Sequence, residues 1–212
     1  MKILLKKHLN LLTIIIGTLF LVVSCSGNDD KADTSVKEVT GSASIGLIDD
    51  ERILKAENEP GNWLAHGRTY EERRFSPLKQ INKETVTELG LVWSKDMGTN
   101  RALEATPIVV DGIMFFTSTW SRVYAVDALS GETIWTFDPQ VPGEWARKAC
   151  CDIVNRGVAV YNGKVYSASL DGRLFSLNAE TGEVVWEVDT IIDRTRSYTI
   201  TGAPRVAKGK VY

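Results

Sequence analysis

The chain is expected to be all-β, built as successive blades of a β-propeller. A unit of about 30 residues recurs without gaps at a constant offset of 51 residues. Each copy divides into short strands separated by Asp-Gly, Asn-Gly and other glycine-containing turns. A tryptophan stands at the same place in each copy, where it can fill the gap between neighbouring blades while a loop of the next unit accepts its N–H.

The first copy runs from Val109 to Asp138 and the second from Val160 to Asp189. Gly112 falls on Gly163, Tyr124 on Phe175, Asp127 on Asn178, Ala128 on Ala179, Gly131 on Gly182 and Trp135 on Trp186. "IMFFTST" and "KVYSASL" follow "DG" and "NG", which are hairpin signals. "RVYAVDA" and "RLFSLNA" alternate apolar and polar residues, as a half-buried strand does. "LSGE" and "ETGE" turn the chain, and "TIWTFD" and "VVWEVD" supply the next strand. Each unit thus holds about four antiparallel strands, the content of one blade. A third copy starts at "RVAKGKVY", Arg205 to Tyr212, and an earlier half-copy at "LGLVWSKD", Leu89 to Asp96. Ahead of the repeats, Gly61–Gly90 reads as a loop-rich lead-in. A short helix is expected over "NKETVTELG", Asn82 to Gly90, from its Asn cap, early acids and closing Gly. Two to three blades cannot close a ring, so residues 46–212 are expected to be the first part of a longer propeller that would not fold or catalyse alone.

The N-terminus reads as an address. Lys2, Lys6 and Lys7 precede an apolar run, Leu9–Ser24, too short for a comfortable membrane span. Residues 1–24 are therefore expected to be a signal peptide. The run ends in "VVSC", Val22 to Cys25, which resembles a bacterial lipobox and would make Cys25 a lipidation site. The other reading is an ordinary signal with a cysteine near its end. Residues 26–45 are polar and suit a flexible linker. The expected location is therefore the periplasm or cell envelope, with a lipidated Cys25 as the expected membrane anchor.

The formal net charge is −2, and without the leader 22 basic side chains face 27 acidic ones. No basic excess speaks for nucleic-acid binding. His66 is the one histidine beyond the leader, which excludes a His-rich metal site in these residues. There is no CxxC or CxxCH, so neither a zinc ribbon nor a c-type haem attachment is present in the sequence. Cys150 and Cys151 are neighbours. After export they can pair. Their Cα atoms lie about 3.8 Å apart, closer than disulfides prefer, so the eight-membered ring would need a twisted or cis peptide. The alternative is two buried thiols acting as small core residues.

The segment "PGEWARKACCDIVNRG", Pro142 to Gly157, resembles the pyrroloquinoline quinone (PQQ) dependent alcohol dehydrogenases. "WLAHGRTYEERRFSPLKQIN", "EATPIVVDG" and "YTITGAPRV" resemble the same family, in the same order, and "AVDALSGETIW" and "SLNAETGEVVW" resemble its tryptophan-docking repeat. The resemblance covers residues 63–212 and implies an eight-bladed propeller. It implies that Cys150 and Cys151 form a vicinal disulfide stacked on PQQ and that Arg156 pairs with a cofactor carboxylate. Glu104 would hydrogen-bond the cofactor edge, and Thr201 would donate its hydroxyl. It also implies a calcium or lanthanide ion and a catalytic Asp base, all held by residues beyond Tyr212. The implied reaction is oxidation of an alcohol, with electrons passed to cytochrome c or a similar acceptor. A non-enzymatic lipoprotein scaffold resembling outer-membrane assembly factors would share the blades and the anchor, but not the vicinal cysteines with Arg156. A quinoprotein sugar dehydrogenase is a third possibility, against which the vicinal cysteines also argue.

Overall fold

The computed structural model describes residues 45–212. The leader, Cys25 and residues 26–44 of the expected linker lie outside them. Among the described residues no helix is long and apolar enough to cross a membrane.

Two four-stranded antiparallel sheets follow each other. The first comprises β1 (Ile108–Val110), β2 (Ile113–Thr117), β3 (Val123–Asp127) and β4 (Thr133–Phe137), in that order. The second comprises β5 (Ala159–Tyr161), β6 (Lys164–Ala168), β7 (Arg173–Asn178) and β8 (Val184–Asp189), in the same order. β9 (Val206–Ala207) and β10 (Lys210–Val211) form the first hairpin of a third unit. The all-β, blade-by-blade expectation holds.

The repeated turns have one physical basis each. Asp111 and Gly112, Asn162 and Gly163, and Lys208 and Gly209 all take positive φ, between 48° and 80°. That is the two-residue hairpin turn whose twist matches the flanking strands. After the third strand, Asp127 Oδ1 accepts the N–H groups of Leu129 (3.0 Å) and Ser130 (2.7 Å). Asn178 Oδ1 does the same for Glu180 (2.8 Å) and Thr181 (3.1 Å). Asp and Asn interchange here because either side-chain oxygen closes the turn.

The tryptophans join the units as expected. Trp93 Nε1 donates to the Ala128 carbonyl at 3.2 Å, and Trp135 Nε1 to the Ala179 carbonyl at 3.0 Å. Each indole lies flat against a glycine of the next unit, Gly131 and Gly182 respectively, where a Cβ would come within 2.7 Å of the ring. Trp135 and Phe115 pack at 5.9 Å between ring centroids, and Phe137 meets Phe175 edge-on at 5.1 Å, so the core is continuous from sheet to sheet.

Two local expectations change. Over Asn82–Gly90 there is one 3-10 turn, Val86–Glu88, with Asn82 Oδ1 accepting from the Glu84 and Thr85 N–H groups. The cap is real, but no residue of the segment is buried, Thr85 alone being half-buried, and short helices need an apolar face packed on something. A genuine helix, α1, occupies Asp50–Leu54 instead. Asp49 caps it through Arg52 N–H at 2.7 Å, and Ile53 anchors it in the core beside Ile48.

Candidate functional site

Glu104, Arg156 and Thr201 stand within one residue of equivalent places in successive units, on the segments leading into the first strands β1, β5 and β9. The segments before β1 and β5 run side by side, with Thr106 and Gly157 in a parallel bridge and Thr106 N–H donating to the Arg156 carbonyl at 3.2 Å. Gly157 has φ +125, and a Cβ there would lie 2.9 Å from the Thr106 carbonyl oxygen, so only glycine permits this approach. The segment before β9 joins on the other side, with Arg156 N–H donating to the Thr201 carbonyl at 3.0 Å.

This backbone places Arg156 between Glu104 and Thr201. Arg156 Nη2 lies 2.8 Å from Glu104 Oε2, and Nη1 donates to Thr201 Oγ1 at 2.7 Å. Both charged side chains remain 38% exposed, so the cluster faces solvent from one side. The guanidinium has five N–H donors, and these two bonds leave it further donors on the open side. Because Thr201 Oγ1 accepts from Arg156, its own proton is free to be donated.

Cys150 and Cys151 are joined by a disulfide across Cα atoms 3.8 Å apart, and both are exposed. The two cysteines thus stand here as a bonded, exposed pair and not as two buried core thiols. The disulfide shares its loop with Arg156 but makes no hydrogen bond or ion pair with Glu104, Arg156 or Thr201. Three of the expected groups are thus in direct contact, and the sulfurs stand on the same loop.

Two residues that sequence reasoning passed over organise this loop. Asn155 is 2% exposed. Its Oδ1 accepts from Thr117 Oγ1 (2.9 Å) and Gly157 N–H (3.0 Å), and its Nδ2 donates to the Ala168 carbonyl at 2.7 Å. It ties the loop to both sheets. Asp152, next to the disulfide, forms an ion pair with Arg101. The one available signal was their place between the cysteines and Arg156. Away from the site, the Nδ1 atom of His66 is buried without a partner, and burial, with Arg205 and Arg74 next, holds its pKa below the usual histidine value.

A planar tricarboxylate fits these residues. An arginine fork with open donors suits a carboxylate, a free hydroxyl proton suits a carbonyl or carboxylate oxygen, and an exposed disulfide offers a small polarisable face. Among the described residues no group of three or more His, Cys, Asp or Glu side chains gathers as a metal site.

Comparison with known proteins agrees with the blade architecture. Residues 63–187 match the model of the PQQ glucose/ethanol/alcohol dehydrogenase β-propeller domain. A quinohemoprotein alcohol dehydrogenase, ADH-IIG of Pseudomonas putida, is 57% identical over 164 residues, covering 77% of this chain and 23% of that protein. The 1-butanol dehydrogenase (cytochrome c) of Thauera butanivorans is 57% identical over 151 residues, 71% of this chain and 22% of the relative. The solved ADHIIG structure from Pseudomonas putida HK5 superposes with a TM-score of 0.77, covering 78% of this chain and 24% of that one. A europium-containing methanol dehydrogenase is 39% identical with a TM-score of 0.71, covering 76% of this chain and 28% of that one. The chain spans about a quarter of the length of the curated relatives it matches. With its blades, its docked tryptophans and 59% of its length under the family model, the chain belongs to the PQQ-dependent glucose/ethanol/alcohol dehydrogenase β-propeller family.

Proposed function

We propose that the whole protein carrying these residues is a PQQ-dependent alcohol dehydrogenase that oxidises an alcohol to an aldehyde or ketone. The observation that carries this is the Glu104–Arg156–Thr201 cluster at the meeting point of three units, with Arg156 on the same loop as the Cys150–Cys151 disulfide. When bound, PQQ supplies the hydride acceptor, which no protein side chain can. Arg156 would hold a carboxylate of PQQ with its open N–H donors. Thr201 would donate its free proton to a neighbouring oxygen. Glu104 balances the guanidinium and fixes its plane, so that the fork is set before the ligand arrives. The disulfide would cover one face of the ring system and exclude water from it.

Calcium or a lanthanide would be held by residues outside this set, and the likeness to a europium-containing enzyme supports a metal of that kind. A cytochrome-type electron acceptor is supported by the name of the Thauera relative. Export and anchoring through Cys25 rest on the leader sequence.

The test uses full-length protein freed of cofactor. PQQ with calcium or a lanthanide should restore dye-linked oxidation of ethanol or 1-butanol. Arg156→Lys should weaken PQQ binding by about tenfold, as expected when a charge-assisted fork becomes a point charge. Cys150→Ser should impair oxidation. Absence of PQQ binding by correctly folded wild type would refute the dehydrogenase and favour a scaffold.

A further inference from the structure

The disulfide is the least tethered part of the site. Upstream, the chain is held where Ala149 N–H donates to the Trp145 carbonyl at 3.2 Å, and Trp145 is buried. Downstream, it is held again where the Ile153 carbonyl accepts from Trp120 N–H at 3.1 Å. Between these points Cys150 and Cys151 make no hydrogen bond or ion pair to any other described residue. The one side-chain tie to another part of the molecule is that from Asp152 to Arg101. Asp152 needs such a tie, because it sits at φ +68, a conformation in which an L residue is not at ease.

Arg101 is well placed to supply it. It precedes Glu104 by three residues, and its own N–H donates to Thr99 Oγ1 at 3.2 Å. The two neighbouring segments therefore carry three successive links: Arg101 to Asp152, Glu104 to Arg156 and Thr106 to Gly157. The charges alternate in direction. In the first link the cation comes from the unit of β1, and in the second it comes from the unit of β5. A small slip of either segment would part the opposite charges, and one of about three to four residues would bring like charges together, so the ladder favours one register.

We propose that Arg101 and Asp152 are positioning residues that clamp the vicinal disulfide in register with Glu104 and Arg156, so that the cofactor-facing sulfurs are set before the cofactor binds. The role rests on the PQQ reading above only for what the sulfurs face. The clamp itself is a property of the protein alone. In support, the Asp152 carboxyl is held below the usual aspartate range, first by the hydrogen bond from Arg101 and next by the Ile153 N–H.

The experiment reads the clamp without and with cofactor. In cofactor-free full-length protein, the rate at which a soluble phosphine reduces the disulfide is followed by thiol release. PQQ affinity is measured on the same preparations by fluorescence titration. Arg101→Ala and Asp152→Asn should each speed reduction and raise the PQQ Kd by about threefold, the scale of an exposed ion pair. Their combination should do no more than either alone. The exchanged pair, Arg101→Asp with Asp152→Arg, should recover part of the loss. High salt should shrink the difference between wild type and the single variants. Unchanged reduction rates in both single variants would overturn the clamp. So would additive effects, or weaker PQQ binding by Arg101→Ala with unaltered reduction, which would make Arg101 a direct cofactor contact. If wild type binds no PQQ, the dehydrogenase reading fails, while the reduction rates still decide the clamp.

Discussion

Gly182→Ala is the sharpest probe of how the units are joined. Two costs are separable there. Gly182 has φ +74, so alanine meets the left-handed penalty of about 1–2 kcal/mol. The new Cβ would also lie 2.7 Å from Cδ2 and Cε3 of Trp135. Carbon atoms rest at about 3.5–4.0 Å, so the indole must retreat by about 0.8 Å or more. The indole is 8% exposed and fixed by its 3.0 Å bond to Ala179, so retreat strains the packing and lengthens that bond. Overpacking and a weakened hydrogen bond together add about 2–3 kcal/mol, for a total of about 3–5 kcal/mol. Gly112→Ala is the internal control. It has φ +80, but nothing lies within 4 Å of its added Cβ, so it reports the backbone cost alone. Urea unfolding of the full-length protein, followed by tryptophan fluorescence, should show Gly182→Ala with the lower midpoint by a clear margin. Trp135→Phe, which removes the N–H and narrows the ring, should destabilise alone and lose part of its effect in the Gly182→Ala background. Equal midpoints for Gly182→Ala and Gly112→Ala would refute the docking argument.

Two other predictions concern buried polar groups. Asn155→Asp replaces the Nδ2 donor facing the Ala168 carbonyl by an oxygen in a buried position, and should destabilise by about 2–4 kcal/mol; PQQ titration should weaken with it, because Gly157 and Arg156 share its turn. His66 has a folded pKa below its unfolded value. The unfolded chain therefore takes up the proton first on acidification, so stability is full above about pH 6.5 and falls as the pH drops through the folded pKa. Unfolding midpoints measured from pH 7.5 to 5.5 should fall, and His66→Gln should flatten the slope.

Much of the architecture was legible in the sequence because it is repeated. A turn that needs two positive φ angles leaves its mark as Asp-Gly or Asn-Gly, and three such hairpins recur at equivalent places, the third with Lys208 before its glycine. An oxygen that must close an Asx turn leaves Asp127 and Asn178 in register. The helix expected at Asn82–Gly90 failed for a different reason. Capping is a local property and was present, but nothing apolar packed against the segment, and one turn alone does not persist. Helix α1 carried the same kind of signal, Asp49 followed by Asp50 and Glu51, and succeeded because Ile53 reaches the core.

By itself, the sequence determined the period, the strands and turns of each unit, the tryptophans that join them, and which residue types could meet a planar carboxylated ligand, since each of these depends on neighbours close along the chain. Only the tertiary structure decided that Arg156 stands between Glu104 and Thr201, that Asn155 ties the loop to two sheets, and that Arg101 reaches Asp152 beside the disulfide. The partners drawn from different units lie 38 to 52 residues apart. They meet because consecutive units stack with their first strands side by side, a relation between blades that no single stretch of sequence contains.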